Sequence, residues 1–245
     1  MSVIAWLQQL WNSVLVGRKV LAMRNAAIAT VLLTVLIALG SAQSGARRGI
    51  DITAEPHYHL LLDNSSVRAF RLELLPGQAT ELHWHDYDFM TVTLEDSTVN
   101  EMIMRPATVA DARAHVLSQG EMAFYELKKQ FGDAWRTPAG IVHTMSNKSD
   151  KPYRNVTFEM KRGHASVADG QALVIRPGEF ASREWEKNDH LLIAMSDLEV
   201  SDVAGEKQDT IRLKVGEATW VPRGATHRFT NIGTKGALAT TFEFE

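Results

Sequence analysis

The 245-residue chain has no cysteine. That excludes disulfides, zinc–thiolate sites, thiol nucleophiles and a lipoprotein anchor. It is silent on redox compartment, because an exported protein need not carry disulfides. Acidic residues are missing from one region only. Residues 1–50 contain no Asp or Glu but carry Arg18, Lys19, Arg24, Arg47 and Arg48. Taking those five from the 26 basic residues leaves 21 against 29 acidic ones, so the remainder stands at −8. Such a body is a poor electrostatic partner for nucleic acid, and none is expected.

Long apolar runs are scarce too, although 45% of the residues are hydrophobic and can fill real cores. Residues 26–39 form the one long run. Fourteen residues at about 1.5 Å each fall short of a bilayer core of roughly 30 Å. Arg24 precedes the run, and Gly40-Ser41-Ala42 follows with small residues suited to cleavage after Ala42. That is the layout of a secretory signal peptide. A chain starting at Met23 would carry a signal of ordinary length, with residues 1–22 as an upstream extension. The competing reading is an uncleaved anchor over the uncharged residues 25–46, the membrane then being met through this segment alone. Both readings export the body to the periplasm or the cell exterior. Residues 1–42 are thus an extension plus signal peptide or membrane anchor, a hydrophobic helix in either case. Residues 43–56, rich in Gln, Ser, Gly and Arg, read as a linker.

From Val67 onward the pattern is short β-rich runs broken by Gly, Pro, Asn and Asp, which predicts an all-β sandwich or barrel. The chain also repeats itself. Gly132-x5-Pro138-x-Gly140-x2-His143-x3-Asn147 recurs as Gly216-x5-Pro222-x-Gly224-x2-His227-x3-Asn231, every element displaced by 84. Thr157-Phe158-Glu159-Met160 meets Thr241-Phe242-Glu243-Phe244 at the same displacement. Upstream, Pro76-Gly77 matches Pro177-Gly178 at 101, as do Trp84 and Trp185, and Asp88 and Asp189. The first copy therefore holds 17 extra residues between Ser97 and Gly132, assigned to the stretch from Arg105 to His115 and to Lys128-Lys129. Self-similarity of this extent predicts two copies of one unit. Their bounds are 57–162 and 163–245.

Chemistry concentrates at His83-Trp84-His85. Two histidines at i and i+2 on a strand share a face. The Pro138-x-Gly140 turn can deliver His143 to the same face, and neutral imidazoles suit Fe, Mn, Zn, Ni or Cu.

At these residues the chain resembles the cupin superfamily, whose motifs are G-x5-H-x-H-x3/4-E-x6-G and G-x5-P-x-G-x2-H-x3-N. The first copy has Gly77-x5-His83-x-His85, and both copies match the second motif in full. The resemblance implies a bicupin: two tandem jelly-roll barrels, each with a pocket at its mouth, and a homodimer pairing barrel against barrel. It also implies a divalent metal, iron or manganese foremost, on His83, His85 and His143. Where the family places an acidic ligand this chain has Phe89 and Met90. That departure narrows the site to three histidines, a type found among cupin thiol dioxygenases. Tyr87 and Asp88 are the neighbours expected to support it.

In the second copy the motif histidines are replaced by Glu184 and Glu186, with His190 four residues later and His227 retained. Two glutamates and two histidines make a candidate second metal site. Trp84 and Trp185, between ligand positions, are expected to face the outer packing, and Lys128 and Lys129 to be solvated. Glu159 and Glu243 stay unassigned, since alternation can place either near a pocket. Two functions are implied. One is an oxygenase-type metalloenzyme acting on a small organic molecule. The other is a non-catalytic small-molecule-binding or structural bicupin.

Overall fold

The computed structural model describes residues 49–105, 121–161 and 170–244. The expectations for the N-terminal hydrophobic helix, for linker residues 43–48 and for the stretch after Arg105 lie outside the described residues.

The first barrel is built from β1 (Ile50–Asp51), β2 (Tyr58–Asp63), β3 (Val67–Leu74), β4 (His83–Trp84), β5 (Phe89–Thr93), β6 (Ser97–Arg105), β7 (Glu121–Lys129), β8 (Ala134–Thr137), β9 (Val142–Asn147) and β10 (Tyr153–Met160). The second is built from β11 (Gln171–Ile175), β12 (Phe180–Trp185), β13 (Asp189–Ala194), β14 (Leu198–Ala204), β15 (Lys207–Leu213), β16 (Ala218–Val221), β17 (Ala225–Asn231) and β18 (Ala237–Phe244). Each barrel is a pair of sheets. Their orders are β1-β4-β9-β6-β7 and β2-β3-β10-β5-β8 in the first, β11-β18-β13-β16 and β12-β17-β14-β15 in the second. The fold is therefore all-β and two-barrelled, as the repeat predicts. The join between the copies, from 162 to 169, falls outside the described residues.

Alternation sets which side chains fill the barrels. On β5 and β10, Phe89, Thr91, Thr157 and Glu159 face the first barrel's interior. Met90, Val92, Val156 and Phe158 face outward, into one core shared with Leu191, Ile193, Phe242 and Phe244 of the second barrel. β5 is consequently buried on both faces, which is why it reads as an unbroken apolar and threonine run.

Two sequence expectations need correction. The linker ends earlier than residue 56. Ile50 and Asp51 pair in parallel with His83 and Trp84, and Ile52 is fully buried with Leu72 and Leu74. Gly49 and the preceding arginines mask this short apolar-polar-apolar run. The extra residues of the first copy all lie in one hairpin. There β6 and β7 have nine residues each, joined by 106–120, whereas β14 and β15 have seven each, joined by Gly205 and Glu206. Lys128 and Lys129 are not part of the insertion. Lys129 pairs with Ser97, as Leu213 pairs with Leu198.

The motif residues are turn hardware. Gly140 and Gly224 sit at φ 78° and 116°, which a side chain would oppose. Asn147 donates through Nδ2 to Leu74 O (2.9 Å) and Lys151 O (2.7 Å), and its Oδ1 accepts from Ser149 N at 2.9 Å. Asn231 repeats this with Ile175 O (2.9 Å), Lys235 O (2.8 Å) and Gly233 N (2.9 Å). Both asparagines are 1% exposed, so they tie buried backbone groups together. Asn231→Ala strands those partners and should cost about 1–3 kcal/mol in urea unfolding. A loss under a few tenths would mean that water replaces the amide.

Candidate metal centre

β4 and β9 lie side by side with His83 opposite His143. His85 follows β4, and its carbonyl accepts from Gly140 N at 3.1 Å. The Pro138-Ala139-Gly140 turn is thereby clamped to the strand whose histidines it must meet. The three imidazoles are 0%, 0% and 3% exposed. Their ring centroids are 4.5 Å (His83–His143), 5.3 Å (His85–His143) and 5.4 Å (His83–His85) apart. One ligand atom from each falls within 4.8 Å of the others.

Two of the three outer nitrogens are hydrogen-bonded. His83 Nδ1 donates to Glu81 O at 2.8 Å. His143 Nδ1 donates to Glu101 Oε1 at 2.8 Å, and His85 Nδ1 lies 3.3 Å from Glu159 Oε1. Protons on the Nδ1 atoms of His83 and His143 leave an Nε2 lone pair on each. His85 Nε2 and His143 Nε2 are 3.2 Å apart, and His83 Nε2 is buried with no partner. Burial, and then the neighbouring imidazoles, hold His83 and His85 well below the usual histidine range, so protonation does not relieve the crowding. Three buried imidazoles, two of them anchored through the opposite nitrogen, suit a divalent cation.

The walls are asymmetric. Phe89 stacks on His85 with centroids 3.7 Å apart and 16° between planes. It closes that side of the cluster with an apolar ring. Tyr58 packs edge-on to His83 at 5.2 Å. Glu159 is fully buried, and Arg68 grips its Oε2 through Nε at 2.8 Å and Nη2 at 2.6 Å. Burial pushes its carboxyl up to about 7 despite that arginine.

Of the expected supporting residues, Asp88 does something else. Its carboxylate accepts from Arg136 Nη2 (2.7 Å) and Ala139 N (2.9 Å), so it fastens the turn rather than an imidazole. Tyr87 is half-buried, and among the described residues no hydrogen bond from it holds a ring nitrogen of the three histidines. Glu101 was not singled out in the sequence, although the repeat marks it. Its counterpart at displacement 101, Asp202, holds His227 Nδ1 at 2.9 Å. Glu159, left unassigned in the sequence, does join the site.

The second set does not assemble. Gly224 N donates to Trp185 O at 3.2 Å, and His227 stands opposite Arg183. Trp185 therefore occupies the place of His85, and Arg183 that of His83. The sequence alignment is one residue out here. The first copy reaches β4 through an irregular stretch with an isolated Ala79–Ser146 bridge, whereas β12 runs unbroken. One residue of slip turns every side chain to the other face. Glu184 and Glu186 consequently point outward and are exposed. Trp185 turns inward, contrary to expectation. It stacks on His190 at 4.0 Å and lies 5.6 Å from His227. An indole fills what would be the second metal position, and the one three-residue ligand cluster among the described residues is in the first barrel.

No protein-family model matches the sequence, and no curated protein matches it. Solved structures do. AerE from Microcystis aeruginosa is 10% identical, covering 83% of this chain and 100% of its own, with a TM-score of 0.56. A Lactobacillus farciminis oxalate decarboxylase in complex with formate is 11% identical over 81% of this chain and 86% of its own, with a TM-score of 0.52. A Bacillus subtilis oxalate decarboxylase studied for its Mn(II) centres is 10% identical over 80% and 76%, with a TM-score of 0.51. At such identities the likeness speaks to the fold.

Proposed function

We propose that this chain, a bicupin by fold, is an exported metalloprotein that holds one divalent ion, manganese or iron, on His83, His85 and His143 and acts as an oxygenase-type enzyme on a small organic molecule. The observation that carries the reading is the convergence of three buried imidazoles, with one ligand atom of each within 4.8 Å of the others. The oxalate decarboxylase likeness supports manganese and a small-molecule substrate. The apolar run at 26–39 and its flanks support export.

An ion held there supplies Lewis-acid or redox chemistry to a molecule bound beside it. The chain's own residues do the rest. Glu81 O and Glu101 fix the rings of His83 and His143, and Phe89 stacks on that of His85, so that the ligand atoms need little reorganisation. Phe89 blocks one approach and excludes water from that side. Three protein ligands leave further positions open for a substrate. Glu159, with its carboxyl near 7, can hold or release a proton at Oε1 beside His85 Nδ1.

Elemental analysis of the purified chain tests this. About one equivalent of manganese or iron per chain is expected, falling below a tenth in His83→Ala. Chelation should lower the melting temperature of the wild type and leave that of the variant unmoved. A metal-free wild type, equally stable with and without chelator, overturns the proposal.

A further inference from the structure

One charged side chain in the first barrel has no part in holding the three histidines. Lys129 ends β7 and is 9% exposed, although the sequence reading made it solvated. Leu127, two residues earlier, packs against the barrel's inner core of Val99, Phe70 and Leu72. Strand alternation puts Lys129 on that same inward face. Its Nζ lies 3.4 Å from the centre of the Trp135 ring. Among the described residues no carboxylate comes within ion-pair distance of it.

Such a placement is costly. A buried ammonium is unfavourable unless an anion pairs with it, and a cation–π contact offsets only part of that cost. Burial lowers its pKa, and the charges of Glu101 and Asp133 work against that lowering. Folding does not require the charge. The second barrel has Leu213 and Thr219 at the equivalent positions, and Leu213 packs against that barrel's core. The lysine–tryptophan pair occurs only in the barrel that keeps its three histidines.

The pair shares the barrel's inward face with them. Trp135 stands opposite Thr91, whose hydroxyl is 3.2 Å from that of Thr157. Thr91 follows Phe89 by two residues on the same face, a rise of about 7 Å along the strand. Phe89 in turn stacks on His85.

We propose that Lys129 is the anchor for an anionic group, a carboxylate, on the small molecule that the first barrel accepts. Trp135 holds the ammonium in place, and Thr91 and Thr157 stand between that pair and Phe89 on the barrel's inward face. The substrate class is then a short organic acid whose reacting end lies at the three histidines. This rests on the metal-site reading for the position of that reacting end.

Calorimetric titration of the metal-loaded chain with malonate and succinate, and with the two matching diamides, tests it. Lys129→Met should bind the better diacid at least tenfold more weakly than the wild type. Lys129→Arg should stay within about threefold. Neither substitution should alter metal content or diamide binding, and Lys129→Met should melt no lower than the wild type. The proposal is overturned if neither acid binds the wild type, or if Lys129→Met binds both acids unchanged. It is also overturned if acid and diamide binding fall together, which would mark a packing role. Metal content is read in the same samples. A wild type that binds diacid through Lys129 but carries no metal would sink the metal reading alone.

Discussion

Phe158→Ala should destabilise both barrels together, by about 3–5 kcal/mol, in one cooperative unfolding transition. The magnitude is that of a large aromatic removed from a core that cannot collapse. It is a large share of the 5–15 kcal/mol a folded domain typically commands. Phe158 is fully buried on β10, the middle strand between β3 and β5. Its ring points away from its own barrel and meets Phe242 at 4.9 Å and Phe244 at 6.1 Å. Phe242 is its own counterpart in the second copy. The barrels thus meet through equivalent faces, as the halves of a symmetric dimer would. Met90 and Val92 face Leu191 and Ile193 in the same shared core. Gly216 belongs to this contact too, for a Cβ there would come 2.7 Å from Leu94 Cδ1. Neither barrel can lose this face without uncovering the other's. Two separated transitions, with only the earlier one shifted in the variant, would show that the barrels fold independently and that the shared core is incidental.

The repeat that made this interface readable also shows where sequence stops informing. Pro138, Gly140, His143 and Asn147 could be placed because each does a local job: a turn, a positive φ, a ligand, a tie across the chain. Such jobs leave fixed spacings. The all-β, two-barrel architecture followed from those spacings and from short alternating runs. The second copy's register did not. Trp84 and Trp185 match as letters, and nothing in either segment reports that the first has an irregular approach to β4 and the second a regular β12. A one-residue slip has no compositional signature, yet it decides whether Trp185 or its glutamate neighbours enter the barrel. Glu101 and Lys129 were hidden for another reason. Both lie on long strands of the β6–β7 hairpin, where charged residues ordinarily face water. Strand alternation places them with Val99 and Leu127 on the inward face. Glu101 could have been found by asking which acid recurs at the repeat spacing. Lys129 could not, because its distinguishing feature is that the second copy lacks it.

Glu159 gives a second large effect, on the pH dependence of the metal-free chain. Its carboxyl is raised from an ordinary 4.5 to about 7 by burial, with Arg68 opposing. Between those values the folded chain holds a proton that the unfolded chain has released. Glu159 therefore contributes stability that is fully present below pH 4.5 and is lost as pH rises through 7. Over that window the contribution is about 3 kcal/mol, at roughly 1.4 kcal/mol per proton and pH unit. His83 and His85 act in the opposite sense. Burial depresses both, so below their ordinary 6.5 the unfolded chain takes up protons that the folded chain refuses. Stability from these two is present above pH 6.5 and is lost as pH falls. Glu159 opposes that loss. Glu159→Gln keeps the shape and removes the titration, so acidification should hurt it more. Urea unfolding of the metal-free proteins between pH 4.5 and 7 should give the variant an acid limb steeper than the wild type's by about 1.4 kcal/mol per pH unit. The comparison is of slopes, so any constant cost of leaving Arg68 unpaired drops out. Parallel limbs would mean that Glu159 is ionised throughout. Its Arg68 pair would then outweigh burial, and the carboxylate beside His85 would be a fixed negative charge, with no proton to exchange.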